Sequence, residues 1–436
     1  MKLEELLAGV DERTLGKELF DCVADLYPIC RSITGEGVRE TLARLARLVP
    51  LSVHEVPSGT TAFDWTVPNE WNIRDAYVKD IHGQRVVDFQ RSNLHVVSYS
   101  APICRRMPLS ELRPHLHALP DRPDWIPYRT TYYTDGWGFC VSQRQLDALP
   151  DGDYDVCIDA SLRPGSLTYG EAYVRGASEE EVLISCHVCH PSLANDNLSG
   201  VAIAAHLARR LRDVSPRYSY RFLFVPATIG PIVWLARNES IVPVIRYGLV
   251  LAGLGDAGRL TYKKSRRGDT SIDRAATRVL RRLGEPKVLE FSPDGYDERQ
   301  YGSPGFDLAV GRLSRTPYGD YPEYHTSADN LEFVKPAQLA ASLAACLEIF
   351  SALEGDRRYV NTCPKGEPQL GKRGLYHAMG GSPQSPASER AMLWVLNLSD
   401  GRYGLLDIAE RSGLGFEDIE RAATVLHAHG LLKVAP

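Results

Sequence analysis

The 436-residue sequence has little excess of either charge: 50 Lys and Arg stand against 55 Asp and Glu, a formal net charge of −5. No global positive field exists to gather nucleic acid or an anionic membrane surface. Long apolar runs are missing too, with no stretch reading as the roughly 18–20 residues that span a bilayer. The amino terminus, MKLEELLAGVDERTLGKELF, has no basic start, apolar run or cleavage site, so no secretion signal and a cytoplasmic location are expected. The nine cysteines are odd in number and scattered, the pattern of reduced core thiols and not of a disulfide framework. No internal repeat is visible. What is present, 44% hydrophobic and 24% charged residues with 36 Gly and 28 Pro, excludes collagen, coiled coil and long disorder. At this length two to four domains are expected.

Periodicity divides the chain. Residues 2–27 and 38–48 read as helices, the second entered through the turn Arg31-Ser-Ile-Thr-Gly-Glu-Gly37. From about 51 to 149 short alternating runs broken by Pro and Gly predict a separate β-rich unit. Beyond it, apolar strands at 154–160, 181–187, 221–226 and 247–253 alternate with helical stretches near 199–211, 231–238 and 270–283. That alternation predicts an α/β fold with a largely parallel sheet flanked by helices. The expected domains are 1–50 with 151–360 as the main unit, 51–150 inserted, 361–386 a linker and 387–436 a terminal unit. Three helical patterns ending in Leu-Leu-Lys-Val give the terminal unit the order of a winged helix. It carries five basic side chains (Arg390, Arg402, Arg411, Arg421, Lys433) and seven acidic ones. A net −2 neutralises phosphate poorly, so packing or protein contact is expected of it and duplex DNA is not.

The densest chemistry lies in residues 181–200. A buried strand should deliver His187 to its C-terminal end, with Asp196 following in a loop ahead of a helix opened by Ser199-Gly200. Ligand sites in open α/β sheets gather at such ends. Cys186-His-Val-Cys-His190 fits the C-x-x-C-H haem-attachment pattern, but attachment needs an exported chain and an accessible loop. Zinc on the cysteine pair would need a second C-x-x-C, which is lacking. The remaining reading is a hydrolytic metal site of His187 and Asp196 with ligands from downstream. Asp297-Glu298, after the apolar strand 287–291, and His325, in the aromatic loop 318–330, supply them. Imidazole and carboxylate are the donors of catalytic zinc, and Asp196 could bridge two ions. Taken singly, such residues are more often merely hydrogen-bonded; their joint placement at successive strand ends favours the metal.

His187-x-Cys189 followed by Asp196-Asn-Leu-Ser-Gly200 resembles the His-x-Asp and Asp-Asp-x-Ser-Gly elements of the zinc aminopeptidase superfamily, which includes bacterial leucyl aminopeptidases and glutaminyl cyclases. More closely, four segments resemble a bacterial aminopeptidase-like family whose members carry an inserted β domain and a C-terminal winged helix. They are Pro28-Ile-Cys-Arg-Ser-Ile-Thr-Gly35, Cys189-His-Pro-Ser-Leu-Ala-Asn-Asp-Asn-Leu-Ser-Gly200, Asp297-Glu-Arg-Gln300 and the run from Arg315 to Asn330.

The resemblance implies a zinc-dependent amide hydrolase, an aminopeptidase or small-molecule deacylase with one or two zinc ions. One ion would be held by His187, Asp196 and Asp297, the other by Asp196, His325 and a Glu from the end of the next strand. Here the family's Pro-Glu-Thr-Ile-Gly reads Pro226-Ala227-Thr-Ile-Gly230, and a methyl group neither binds zinc nor accepts a proton. Two accounts of Ala227 stand side by side: divergence toward one metal or none, and a substitution introduced to trap substrate. Cys189 also stands where the superfamily has Asp. Glu323 and Glu298 are candidates for proton transfer, with Glu171 more distant. Arg31, Arg299, Arg315 and Tyr318 are candidates for holding a substrate carboxylate, with structural ion pairs as the plainer alternative. The expected partners are a small peptide or amide-bearing small molecule and further copies of the chain. The reading from another class is a catalytically silent module that binds a ligand or mediates assembly.

Overall fold

Every residue of the strand Glu181–His187 is buried, and its side chains alternate between two apolar clusters. Val182, Ile184 and Cys186 belong to one, and Leu183 to the other. The neighbour Ser219–Val225 alternates likewise, with Phe222 and Phe224 against Leu223 and Val225. A strand covered on both faces must be largely apolar on both, which is why these two read as hydrophobic runs with polar residues mostly at their ends. The computed structural model describes residues 11–284, 286–375 and 387–435, together with Leu6. Most of residues 2–10 of the first expected helix and 376–386 of the expected linker lie outside them.

The two strands sit inside an eight-stranded mixed sheet. Its order is Ser52–Pro57, Ser166–Val174, Ser219–Val225, Glu181–His187, Ile245–Leu251, Val310–Ser314, Thr261–Lys263, Lys287–Leu289. The centre is parallel and the flanks carry antiparallel pairs. The helices Glu12–Leu26, Gly200–Leu211, Ser271–Arg282 and Pro336–Gly355 bury one face. The helix Ile229–Arg237 and the inserted unit cover the other. Pro336–Gly355 has 20 residues with a mean hydropathy of 1.4 over its most apolar window. By length and composition it could cross a membrane, contrary to the expectation of no such run, but 61% of that window is buried among the other helices.

The inserted unit is built on a four-stranded antiparallel sheet, Arg85–Asp88, Glu70–Lys79, Asp153–Arg163, Ile103–Pro108. Expected and observed edges differ. The strand predicted over 154–160 pairs here and not in the main sheet, whereas Ser52–Pro57 belongs to the main sheet through Ser166–Val174. Alternation announces a strand but does not name its partner. Cys104 and Cys157 stand directly opposite in register and form a disulfide with Cα atoms 4.1 Å apart. The expectation that the cysteines are reduced is corrected at this pair; the other seven are free.

The helices Ala387–Leu398, Leu405–Ser412 and Phe416–Ala428 form the terminal unit with a three-stranded sheet. Its central strand is Arg358–Asn361, flanked by Asp400–Gly404 and Leu432–Val434. The unit therefore begins before the expected linker. It docks on Ser271–Arg282 through Arg274, which reaches Asp407 at 3.1 Å and Glu410 at 3.2 Å, and through the Arg278–Glu417 pair.

Candidate metal centre

The strand Glu181–His187 ends on His187, only 1% exposed. The tight turn Ala194–Ser199 then carries Asp196, wholly buried, back beneath it. Backbone N–H groups in this turn cannot use a regular helix ladder, so side chains take them up. Asp329 accepts from the N–H of Asn195 at 2.6 Å and of Asp196 at 2.9 Å. Asn195 donates to Asp256 at 3.1 Å, and Asn197 donates to the Leu251 carbonyl at 2.8 Å. A Cβ on Gly200 would meet Asn197 Oδ1 and the Leu251 carbonyl oxygen, both at 2.5 Å, so only glycine lets the following helix start here.

Three imidazoles converge on the Asp196 carboxylate. His187 Nε2 lies 2.9 Å from Oδ1, while His325 Nε2 lies 3.1 Å and His190 Nε2 3.8 Å from Oδ2. His187, His190 and Asp196 offer ligand atoms all within 4.8 Å of one another. Burial pushes Asp196 up, but the imidazoles of His190, His187 and His325 around it outweigh that and hold the carboxyl well below its usual range. Burial holds His190 well below the ordinary histidine range, which leaves it neutral, the form that binds metal. Asp297 is wholly buried, and burial raises it to about 7 against the opposing pull of His187.

The donor set fits a bound cation by another criterion. Asp196 Oδ2, both carboxylate oxygens of Asp297 and His325 Nε2 are buried without a hydrogen-bond partner. Such orphans are costly unless something else satisfies them. Carboxylate and imidazole are the ligands of catalytic zinc.

The inserted unit closes over this cluster. The Tyr128 ring lies 5.2 Å from that of His190 and 5.1 Å from that of His325, and its hydroxyl is 2.6 Å from that of Tyr132. On the other side Tyr296 stacks on His187 and Tyr324 on His325, with ring centroids 5.3 Å and 3.9 Å apart. Tyr318 packs edge-on against Tyr296 at 5.8 Å and extends this wall.

Several expected residues stand elsewhere. Arg31, fully buried, donates from Nε to the His190 carbonyl at 3.0 Å and from Nη1 to the Leu26 carbonyl at 2.6 Å, so it holds backbone, while its Nη2 is buried without a partner. Arg315 is similarly spent on Gly258, Gln338 and Ser342. Glu298 pairs with Lys263 at 3.0 Å and accepts the Tyr296 N–H at 3.1 Å, which removes it as a free base. Glu171 is engaged by Arg221 and by Trp234 Nε1. Arg299 is half-buried with Nε unpartnered, and its charge acts on Asp297. Glu323 is half-buried in the His325 loop, and among the described residues its carboxylate makes no ion pair. Ala227 is half-buried, with its carbonyl 3.7 Å from the Cys189 thiol. The candidate ligand that sequence reading missed is His190, visible in the sequence only within the C-x-x-C-H pattern, where its neighbours drew attention to haem.

Residues 20–356 match the family described as domain of unknown function DUF4910, and residues 357–434 match a winged helix-turn-helix family. The chain is 51% identical over 420 residues to a protein of Clostridium acetobutylicum named as a putative polysaccharide biosynthesis protein with aminopeptidase-like domain. That match covers 96% of each chain. A crystal structure of a putative peptidase from Clostridium acetobutylicum superposes with a TM-score of 0.91 at 49% identity, over 99% of both chains. A zinc aminopeptidase of Bacillus subtilis shares the fold with a TM-score of 0.56 at 11% identity, over 78% of this chain and 94% of its own. The chain thus belongs to the DUF4910 family, as an aminopeptidase-like domain followed by a C-terminal winged helix.

Proposed function

We propose that the protein is a cytoplasmic, zinc-dependent hydrolase of amide bonds in a small peptide or an acylated small molecule. The observation that carries this reading is the convergence of His187, His190 and His325 on the buried Asp196 carboxylate, where Asp196 Oδ2 and His325 Nε2 have no hydrogen-bond partner, as is true of both oxygens of the buried Asp297. When bound, zinc supplies Lewis-acid polarisation of the scissile carbonyl. The chain's own part is to place that carbonyl between the tyrosine walls and to move a proton. Glu323, two residues before His325, is the carboxylate available for the transfer. With Ala227 in place of a family Glu, turnover is expected to be slow, because positioned acid–base help contributes about 10²–10⁴-fold. The name of the Clostridium relative puts acylated amino sugars alongside peptides among the substrates to screen.

The second reading, a silent ligand-binding or assembly module, is favoured by Ala227 alone. Metal analysis joined to a hydrolysis screen of aminoacyl amides and N-acylated amino sugars separates the two. Bound zinc with turnover that a chelator abolishes supports the hydrolase. Full metal occupancy without hydrolysis of any amide supports the module.

A further inference from the structure

The Asp196 carboxylate divides the cluster in two. Its Oδ1 faces His187 at 2.9 Å, and Asp297, wholly buried with both carboxylate oxygens unpartnered, feels the charge of that same histidine. Its Oδ2 faces His325 at 3.1 Å and His190 at 3.8 Å. Ligand atoms about 2.0–2.1 Å from a tetrahedral zinc lie roughly 3.3 Å apart, and the two Oδ2 separations bracket that value. With Ala227 at the end of its strand, the Oδ2 side would keep only Asp196 and His325, one ligand short of the three usual for a catalytic zinc.

We infer that His190 is the metal ligand that replaces the carboxylate missing at position 227, so that the chain holds two metal ions. One lies among His187, Asp297 and Asp196 Oδ1, and the other among His190, His325 and Asp196 Oδ2. Each then has three protein donors. The inference rests on the metal-binding part of the proposed function and is independent of hydrolysis.

The surroundings of His190 are those of an oriented ligand. Its carbonyl is held by Arg31 Nε at 3.0 Å, and its Nδ1 lies 3.3 Å from the Cys189 Sγ. With Nδ1 occupied, Nε2 is the nitrogen turned to Asp196. The same thiol lies 3.7 Å from the Ala227 carbonyl, so His190 and the position lacking its carboxylate adjoin one sulfur. Exposure separates the two halves. The side chains of His187 and Asp196 are 0% exposed, those of His190 and His325 13% and 29%. The Oδ2 side is the open one, as a site that admits substrate requires.

The test is zinc binding to the full chain stripped with chelator, followed by calorimetry and elemental analysis. The native chain should take up two zinc ions. His190→Ala should keep one and weaken the other by at least the roughly 10–100-fold that loss of an outer partner costs a metal site. His190→Gln should do the same and guards against misfolding, with thermal unfolding in chelator as the control. Adding Ala227→Glu to His190→Ala should restore the second ion, whereas Ala227→Glu alone should leave the count at two. With cobalt or zinc, X-ray absorption should count about 1.5 imidazoles per ion, falling to about one in His190→Ala. Two ions bound equally tightly by folded His190→Ala and His190→Gln, or one ion in the native chain, would overturn the inference. Two ions without turnover would count against the hydrolase reading and leave this one standing.

Discussion

The backbone N–H of Tyr128 donates to the carbonyl of His325 at 2.8 Å, so the inserted unit grips a histidine that faces the Asp196 carboxylate. His325 needs that grip, because its φ of 55° lies in the left-handed region that a non-glycine residue enters at a cost. Ser327 and Ile126 add two more bonds across the same seam. Tyr128→Ala removes the ring lying against both His190 and His325 and should lower zinc affinity about 10-fold. Tyr128→Phe, which keeps the ring and loses the hydroxyl contacts to Tyr132 and Ser98, should stay within a few-fold. Competition with a chromophoric chelator reads both.

Asp329 holds the turn that presents Asp196. Asp329→Ala leaves the buried N–H groups of Asn195 and Asp196 without acceptors, at about 1–3 kcal/mol each. The expected loss is about 2–6 kcal/mol in urea unfolding. Asp329→Asn, which keeps one acceptor oxygen, should lose less. Equal losses would mean that the carboxylate is not what secures the turn.

His206 is buried at 2% exposure with no hydrogen bond to either ring nitrogen, Glu18 lying 3.9 Å from Nδ1, and burial lowers it to about 4. The unfolded chain, with an ordinary histidine near 6.5, binds the extra proton first. Stability from this residue is therefore complete above about pH 6.5 and is lost as pH falls toward 4, by up to about 3 kcal/mol. Urea midpoints across that window should fall less in His206→Leu than in the native chain. Parallel curves would remove His206 from the account.

The winged helix should not bind duplex DNA. Its helix Phe416–Ala428 begins with Glu417 and Asp418, and Glu417 is paired with Arg278 of the main unit. A helix whose first turn is acidic and docked is a poor reader of a phosphate-lined groove. Fluorescence anisotropy of the full chain with random duplex at low salt should show no submicromolar binding. Arg274→Glu with Arg278→Glu, which reverses both docking cations, should make the junction easier to cleave in limited proteolysis.

Much of the main sheet was legible because its central strands are covered on both faces and so cannot avoid continuous apolar runs. That His187, Asp196 and His325 come together was legible for a different reason: each sits in a polar motif at a strand end or in an aromatic loop. What local pattern does not carry is partnership. The strand at 154–160 has the right alternation for either sheet, and only its pairing with Glu70–Lys79 decides. Glu298 reads as a free carboxylate beside Asp297 until Lys263 appears opposite it. Arg31 reads as an anion binder, and only the fold shows two of its guanidinium nitrogens on backbone carbonyls. His190 was hidden by adjacency: two cysteines at suggestive spacing outweighed a third imidazole whose relation to His325 exists only in three dimensions.

Because Arg358–Asn361 runs between Asp400–Gly404 and Leu432–Val434, the last unit is sewn to the first by its own middle strand. Cutting the chain within 376–386 would strip that strand of both neighbours, leaving two bare edges on one fragment and a sheet without its centre on the other. Bare edges recruit other chains. A clean excision has to fall near residue 356, where one family match ends and the next begins.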